Sequence, residues 1–197
     1  MKSTNSNKKR IKVLEVGSGT GANIWMLSKE KLDTFGIDNS ITAIDLCKKN
    51  LHKKKLKAKL YLGSMTKLPF KENYFDLIVD VVSMQNMSFE NHKKSWKSIY
   101  NCLKPGGYFF SFHLGQGSTS FKELKKNKNN LIDKCTLKNI PKKYPLSHKG
   151  EVCFLNFRQT SKELEKIGFK NINCEKNTRT YQSETYLIEY LVLTSKK

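Results

Sequence analysis

Arginine is nearly missing from this chain. Of its 37 basic residues only Arg10, Arg158 and Arg179 are arginine, and the other 34 are lysine, set against 17 acidic residues for a formal net charge of +20. A balance this basic can mark a nucleic-acid or membrane-surface partner. Nucleic-acid readers, however, lean on the planar arginine fork for bidentate contacts, which lysine does not supply. The lysines are spread along a chain also crowded with asparagine, a composition that AT-rich codons produce without selection for phosphate binding. Denser runs such as Lys53–Lys55 and Lys125–Lys128 read as helix faces or loops. Nucleic acid is therefore possible as a partner but not favoured.

Long apolar runs are also missing. No stretch approaches the 18 or so consecutive apolar residues of a membrane span. Met1–Arg10 is polar and basic with no apolar segment behind it, which argues against a secretory signal and for a disordered tail on a soluble, cytoplasmic protein. The five cysteines are odd in number and never closer than 18 residues, so neither a metal knuckle nor a disulfide framework is indicated. None of the four histidines lies four residues from another, and no protein-bound metal is expected.

What is there is an alternation of strand and helix signals within 197 residues, a length for one domain. Ile11–Val16 is a short apolar run ending in Gly17, followed by helical spacing through Ala22–Lys31. Leu32–Ile37 closes on Asp38, and Ser40 is placed to cap a helix bearing Ile41, Ile44, Cys47 and Leu51. Leu60–Gly63 and Tyr74–Val82 read as strands. Trp96, Ile99, Tyr100 and Leu103 keep helical spacing until Pro105-Gly106-Gly107, and Tyr108–His113 forms a fifth strand. Thr160 and Glu163 fit a capping box for a helix ending at Gly168, before two strands at Phe169–Lys176 and Tyr186–Thr194. Near-continuous apolar strands separated by helices imply a parallel sheet covered on both faces, finished by a hairpin. Gly115–Gly150 has little periodicity and is too long for a plain connector, which reads as a lid-like insertion or a disordered surface loop.

The turn Glu15-Val16-Gly17-Ser18-Gly19-Thr20-Gly21 also satisfies the dinucleotide fingerprint through Gly17, Gly19 and Ala22. Under either reading the glycines let the backbone approach a ligand and Asp38 accepts ribose hydroxyls. Glu15 separates the two, because a carboxylate there opposes a pyrophosphate and suits a ligand carrying an ammonium and a sulfonium.

With that loop stand Gly36-Ile37-Asp38, Leu68-Pro69-Phe70, Tyr74-Phe75-Asp76-Leu77-Ile78-Val79 and Leu103-Lys104-Pro105-Gly106-Gly107, in this order. The ordered set resembles the class I S-adenosylmethionine-dependent methyltransferases over Val13–Lys196. The resemblance implies an α/β, doubly wound Rossmann-like sheet of seven strands, mostly parallel with an antiparallel last strand. It implies S-adenosylmethionine as cofactor, with S-adenosylhomocysteine as product. It matches Gly17, Ser18, Gly19 and Gly21 to the loop around the methionine part and Glu15 to the acid that orders the loop or the amino group. Asp38 matches the ribose ligand, Asn39 lies near the adenine, Ser64 and Met65 flank the base, and Asp80 and Val81 match positions whose backbone meets the methionine end. Many relatives have an acid where Ser64 stands, and a hydroxyl holds the adenine amino group more weakly.

Methyl transfer from a sulfonium is an in-line displacement on an activated donor, so much of the catalysis can come from positioning. His113 is the candidate base or orienting residue, and Gln85 with Asn86 can orient an acceptor. Ser83-Met84-Gln85-Asn86 replaces the Asn/Asp-Pro-Pro-Tyr of enzymes that methylate DNA base amines, and no Pro-Cys occurs for cytosine C5 chemistry. The leading expectation is transfer to an oxygen or nitrogen of a small molecule. The alternatives are an RNA or protein methyltransferase and a non-catalytic cofactor-binding subunit.

Overall fold

The computed structural model describes residues 10–182 and 184–197. The expected N-terminal tail, apart from Arg10, lies outside them. Five parallel strands come first: β1 (Lys12–Val16), β2 (Asp33–Asp38), β3 (Lys59–Leu62), β4 (Phe75–Val81) and β5 (Leu103–Leu114). Helices α1 (Ala22–Lys29), α2 (Ile41–Lys53) and α3 (Phe89–Cys102) make three of the four connections, and β3 passes to β4 through a loop. Val13, Leu14 and Val16 of β1 have no exposed surface, as expected for a strand covered on both faces.

The insertion is followed by α5 (Phe157–Ile167), and the chain finishes in a hairpin, β8 (Lys170–Tyr181) and β9 (Tyr186–Lys196). The seven-stranded sheet has the order β3-β2-β1-β4-β5-β9-β8, in which β9 runs antiparallel to both neighbours. This is the doubly wound, Rossmann-like α/β architecture expected from the alternation. Strand order reverses between β1 and β4, so their C-terminal ends open a crevice at the switch point.

Local chemistry explains most boundaries. Ser40 accepts from the Ala43 amide at 3.2 Å and caps α2. Gly168, at φ 117°, ends α5 in the left-handed conformation. Two expectations are corrected. Asn156, not Thr160, caps α5, accepting from the Gln159 amide at 3.2 Å, because an Asn-x-x-Gln pair one turn earlier takes the same role. The Thr160 hydroxyl is instead buried inside the helix. And α3 stops at Cys102, so that Pro105-Gly106-Gly107 belongs to an irregular start of β5, where pairing with β4 shifts register between Phe75 and Leu77.

The segment from Gly115 onward is folded. It contains α4 (Thr119–Leu124), a 3-10 turn at Lys128–Asn130, and an antiparallel pair, β6 (Thr136–Ile140) and β7 (His148–Cys153). Phe121, Leu137, Ile140, Tyr144, Val152 and Phe154 bury a small core of their own against Leu114 and Ile188. Its root is stapled to β9: the Gly117 amide donates to Glu189 Oε1 at 2.8 Å, the Glu189 amide donates to Ser118 Oγ at 3.0 Å, and the Leu187 amide donates to Thr119 Oγ1 at 2.9 Å.

Candidate active site

A cleft of about 270 Å³ opens over the C-terminal ends of β1, β2 and β4. Gly17, Asp38, Asn39, Ser64 and Met65, all expected at the cofactor, line it. Ser83, Asn86 and Met87, from the segment after β4, complete it. Of these three only Asn86 was a candidate, and as an acceptor residue.

Gly17 sits at φ 67°, and a Cβ there would fall inside the Ser83 side chain. The glycine loop and the end of β4 therefore touch backbone to side chain, which requires glycine. Gly21 has a different reason from the one expected: a Cβ on it would strike Cys47 Sγ, so this glycine lets α1 approach α2. Among the described residues, nothing lies within 4 Å of a Cβ built on Gly19. Its amide donates to Asp38 Oδ2 at 2.8 Å, while the Ser40 amide donates to Oδ1 at 2.9 Å. These two bonds fix the carboxylate, which keeps further lone pairs for hydroxyl donors.

Behind the loop, Glu15 is 2% exposed. Its Oε1 accepts from Asn23 Nδ2 at 2.7 Å, whereas Oε2 is buried with no hydrogen-bond partner among the described residues. Burial pushes its carboxyl up to about 7, and the nearby Asp80 and Asp38 carboxylates push the same way. Ser18 Oγ is likewise buried and unpartnered. Both groups lie behind the loop, and the cleft's lining among the described residues includes the Asp38 carboxylate and neither lysine nor arginine, which in a chain of charge +20 fits a cationic ligand with hydrogen-bond donors. The residues present therefore suit S-adenosylmethionine, with its ammonium and sulfonium, and oppose a pyrophosphate.

Asp80 is expected to meet the cofactor through its backbone, and its side chain has a separate task. Its carboxylate is fully buried and occupied, Oδ1 accepting from the Ser83 and Met84 amides at 3.1 and 2.9 Å and Oδ2 from Ser111 Oγ at 2.7 Å. Burial raises it to about 6. These bonds hold the turn after Val81, where Val82 is forced to φ 50°, an outlier for a β-branched residue. The turn in turn presents the 3-10 segment Met84–Asn86.

His113 lies one residue before the end of β5, but its ring has no exposed surface and faces His92 of α3. Burial and the second imidazole lower it to about 3, and burial lowers His92 to about 4. A ring so placed does not reach the cleft, so the expectation of His113 as a base in contact with acceptor is corrected to a core position. Gln85 and Asn86 instead line a second cavity adjoining the cleft, beneath the insertion.

Residues 13–107 match the family described as "Methyltransferase domain". They belong to that family. Among curated proteins, the chain is 33% identical over 108 residues to the ubiquinone/menaquinone biosynthesis C-methyltransferase of Wigglesworthia glossinidia brevipalpis, covering 52% of this chain and 42% of that one. It is 25% identical over 192 residues to O-methyltransferase 3 of Dictyostelium discoideum, covering 94% of this chain and again 42% of the relative. The chain thus spans about two fifths of the length of these relatives. Among solved structures, a SAM-dependent methyltransferase of Methanosarcina mazei superposes with a TM-score of 0.80 at 15% identity, over 96% of this chain and 93% of that one. The fold is that of the class I S-adenosylmethionine-dependent methyltransferases.

Proposed function

We propose that the chain transfers a methyl group from S-adenosylmethionine to an oxygen or nitrogen of a small-molecule acceptor. The observation that carries this reading is the charge at the cleft: in a strongly basic protein its lining among the described residues holds the Asp38 carboxylate and neither lysine nor arginine, with the Glu15 carboxyl buried behind the loop. When bound, the cofactor supplies a methyl group made electrophilic by its sulfonium. The chain's own residues then do the rest. Asp38 receives the ribose hydroxyls, Glu15 and Ser18 lie behind the loop that meets the amino-acid part, and Ser64 and Met65 border the base. The acceptor class is supported by the size of the adjoining cavity, about 200 Å³, which suits a small molecule better than a folded macromolecule.

The test is calorimetric titration of S-adenosylhomocysteine and NAD against wild type and Asp38→Ala. The product is expected to bind and NAD not to, and loss of the charged acceptor is expected to weaken product binding by about 1.5 to 3 kcal/mol. Equal affinity of the two proteins, or preference for NAD, refutes the reading.

A further inference from the structure

At the other end of β2 from the cleft lies a larger cavity, of about 770 Å³, between the end of α2 and the start of β3. Asp33, which opens β2, borders it, whereas Asp38, which closes β2, borders the cleft. Five residue steps of about 3.3 Å put these two roughly 17 Å apart, too far for a methyl group to pass from one space to the other. The cavity is therefore a second site, independent of the methyl-transfer reading.

Its lining is divided by chemistry. Leu51, Leu56 and Leu60, buried or half-buried, give it an apolar floor continuous with the cluster of Ile24 and Cys47. Arg10, Lys48, Lys55, Lys57 and Lys59, all exposed, stand round that floor with one carboxylate, Asp33. Five of its thirteen lining residues are thus lysine or arginine, against 37 of 197 in the chain, so local enrichment adds to the general bias.

Three of these cations have no other task among the described residues. Lys59 lies 3.0 Å from Asp33 Oδ1 and Lys48 lies 3.3 Å from Asp45 Oδ1, but Arg10, Lys55 and Lys57 form no ion pair there. Nor are they needed to cap α2. Leu51 O accepts from the Lys54 and Leu56 amides at 3.1 and 3.0 Å, and His52 O accepts from the Lys55 amide at 3.0 Å. The sequence before Arg10 carries Lys2, Lys8 and Lys9 and no acidic residue, so its composition offers no counter-charge.

We propose that this cavity binds an amphipathic anion, an aliphatic chain ending in a carboxylate or phosphate, with the chain on the leucines and the head group at Arg10, Lys55 and Lys57. Both halves of the lining are then used: apolar surface leaves water, and charge-assisted bonds hold the head. The volume equals roughly 25 waters at about 30 Å³ each, more than a head group alone fills. Among the described residues no Phe, Tyr or Trp lines it, which leaves a nucleobase nothing to stack on. A hollow between helix and strand admits a free molecule, whereas a bilayer is met by a protruding apolar face.

The experiment titrates octanoate, decanoate, octanol and AMP into the full chain. Affinity is read by calorimetry, and place by the ring-nitrogen NMR signals of His52, which lines the cavity, and His148, which does not. His52→Gln and His148→Gln assign the two signals. Octanoate is expected to move His52 alone and to bind at least about tenfold more tightly than octanol or AMP. Decanoate should bind about four- to fifteenfold more tightly still, since each buried methylene is worth up to about fourfold. Lys55→Glu/Lys57→Glu should weaken both acids at least about tenfold. Lys126→Glu/Lys142→Glu, an equal charge change at exposed positions elsewhere, should leave them within about twofold. Urea unfolding confirms that both double variants fold.

Failure of decanoate to bind, octanol or AMP matching octanoate, no gain with chain length, an unmoved His52 signal, or equal losses in the two double variants each overturns the proposal. So does competition by S-adenosylhomocysteine, which would place the acids in the cofactor cleft. Sedimentation with phosphatidylglycerol vesicles separates the sources of such an anion. The two double variants are expected to sediment alike, and a loss confined to Lys55→Glu/Lys57→Glu would assign the site to a bilayer and overturn the free ligand.

Discussion

His92 Nε2 lies 2.8 Å from His113 Nε2, with both rings buried. Each Nδ1 also faces a carbonyl, Ser88 O at 2.9 Å and Leu114 O at 3.0 Å. Three contacts need three protons, and two neutral rings supply two. The pair is thus one proton short at neutral pH, while burial opposes supplying it.

That arrangement predicts acid sensitivity. Both folded-state values, about 4 and about 3, lie below the ordinary 6.5, so the unfolded chain binds more protons and stability falls as pH drops from 6.5 toward 4. Glu15 and Asp80 act in the opposite sense, since their raised values make the folded state the better proton binder as pH falls from about 7 toward 4. The histidine contribution is isolated by comparing urea unfolding of wild type with His92→Asn/His113→Asn between pH 7 and 4. The wild type should lose on the order of 6 kcal/mol more than the double variant across this window, about half from each ring. Parallel pH curves would assign the pair no such role.

Product binding should release a proton. With Glu15 held at about 7, a ligand ammonium beside it favours the carboxylate and lowers its pKa, so affinity for S-adenosylhomocysteine rises as pH increases from 5 to 7. Calorimetry in buffers of different ionisation enthalpy measures the release directly. Glu15→Gln should bind more weakly and lose the buffer dependence, and an unchanged dependence would detach Glu15 from the ligand.

The three loop glycines should not be equivalent. Gly17→Ala meets the Ser83 side chain as well as the backbone strain of φ 67°, and is expected to cost roughly 2 to 5 kcal/mol. Gly19→Ala, at φ 51° with none of the described residues within 4 Å of its Cβ, should cost only about 1 to 2 kcal/mol. Chemical unfolding of both variants without ligand checks the order, and equal losses would show that Ser83 does not constrain the loop.

Much of this was legible from residue order. Near-continuous apolar strands, the glycine loop, the cap at Ser40 and the stop at Gly168 are local signals, and each appears where its chemistry places it. The insertion was opaque because its order comes from distant partners: Leu114 and Ile188 complete its core, and Glu189 holds its root. Its strand β6 is also interrupted at Asn139, whose φ of 55° shifts the register and blurs the alternation. His113 was visible as the end of a strand, but which way it faces depends on His92, 21 residues earlier. The roles of Ser83 and Met87 had no local signal, since both reach the cleft through a turn held by the buried Asp80.

The Glu189 staple bears on how such a protein can change its substrate. Gly115 and Gly117 leave no room for a side chain beside that carboxylate, and Ser118 and Thr119 accept from the amides of Glu189 and Leu187. The insertion is therefore not a free cassette: a graft of residues 115–155 into another member of the fold would arrive without its anchor unless the matching stretch of β9 travelled with it. Diversification by exchange of this region should proceed in two coupled pieces, one in the middle of the chain and one near its end.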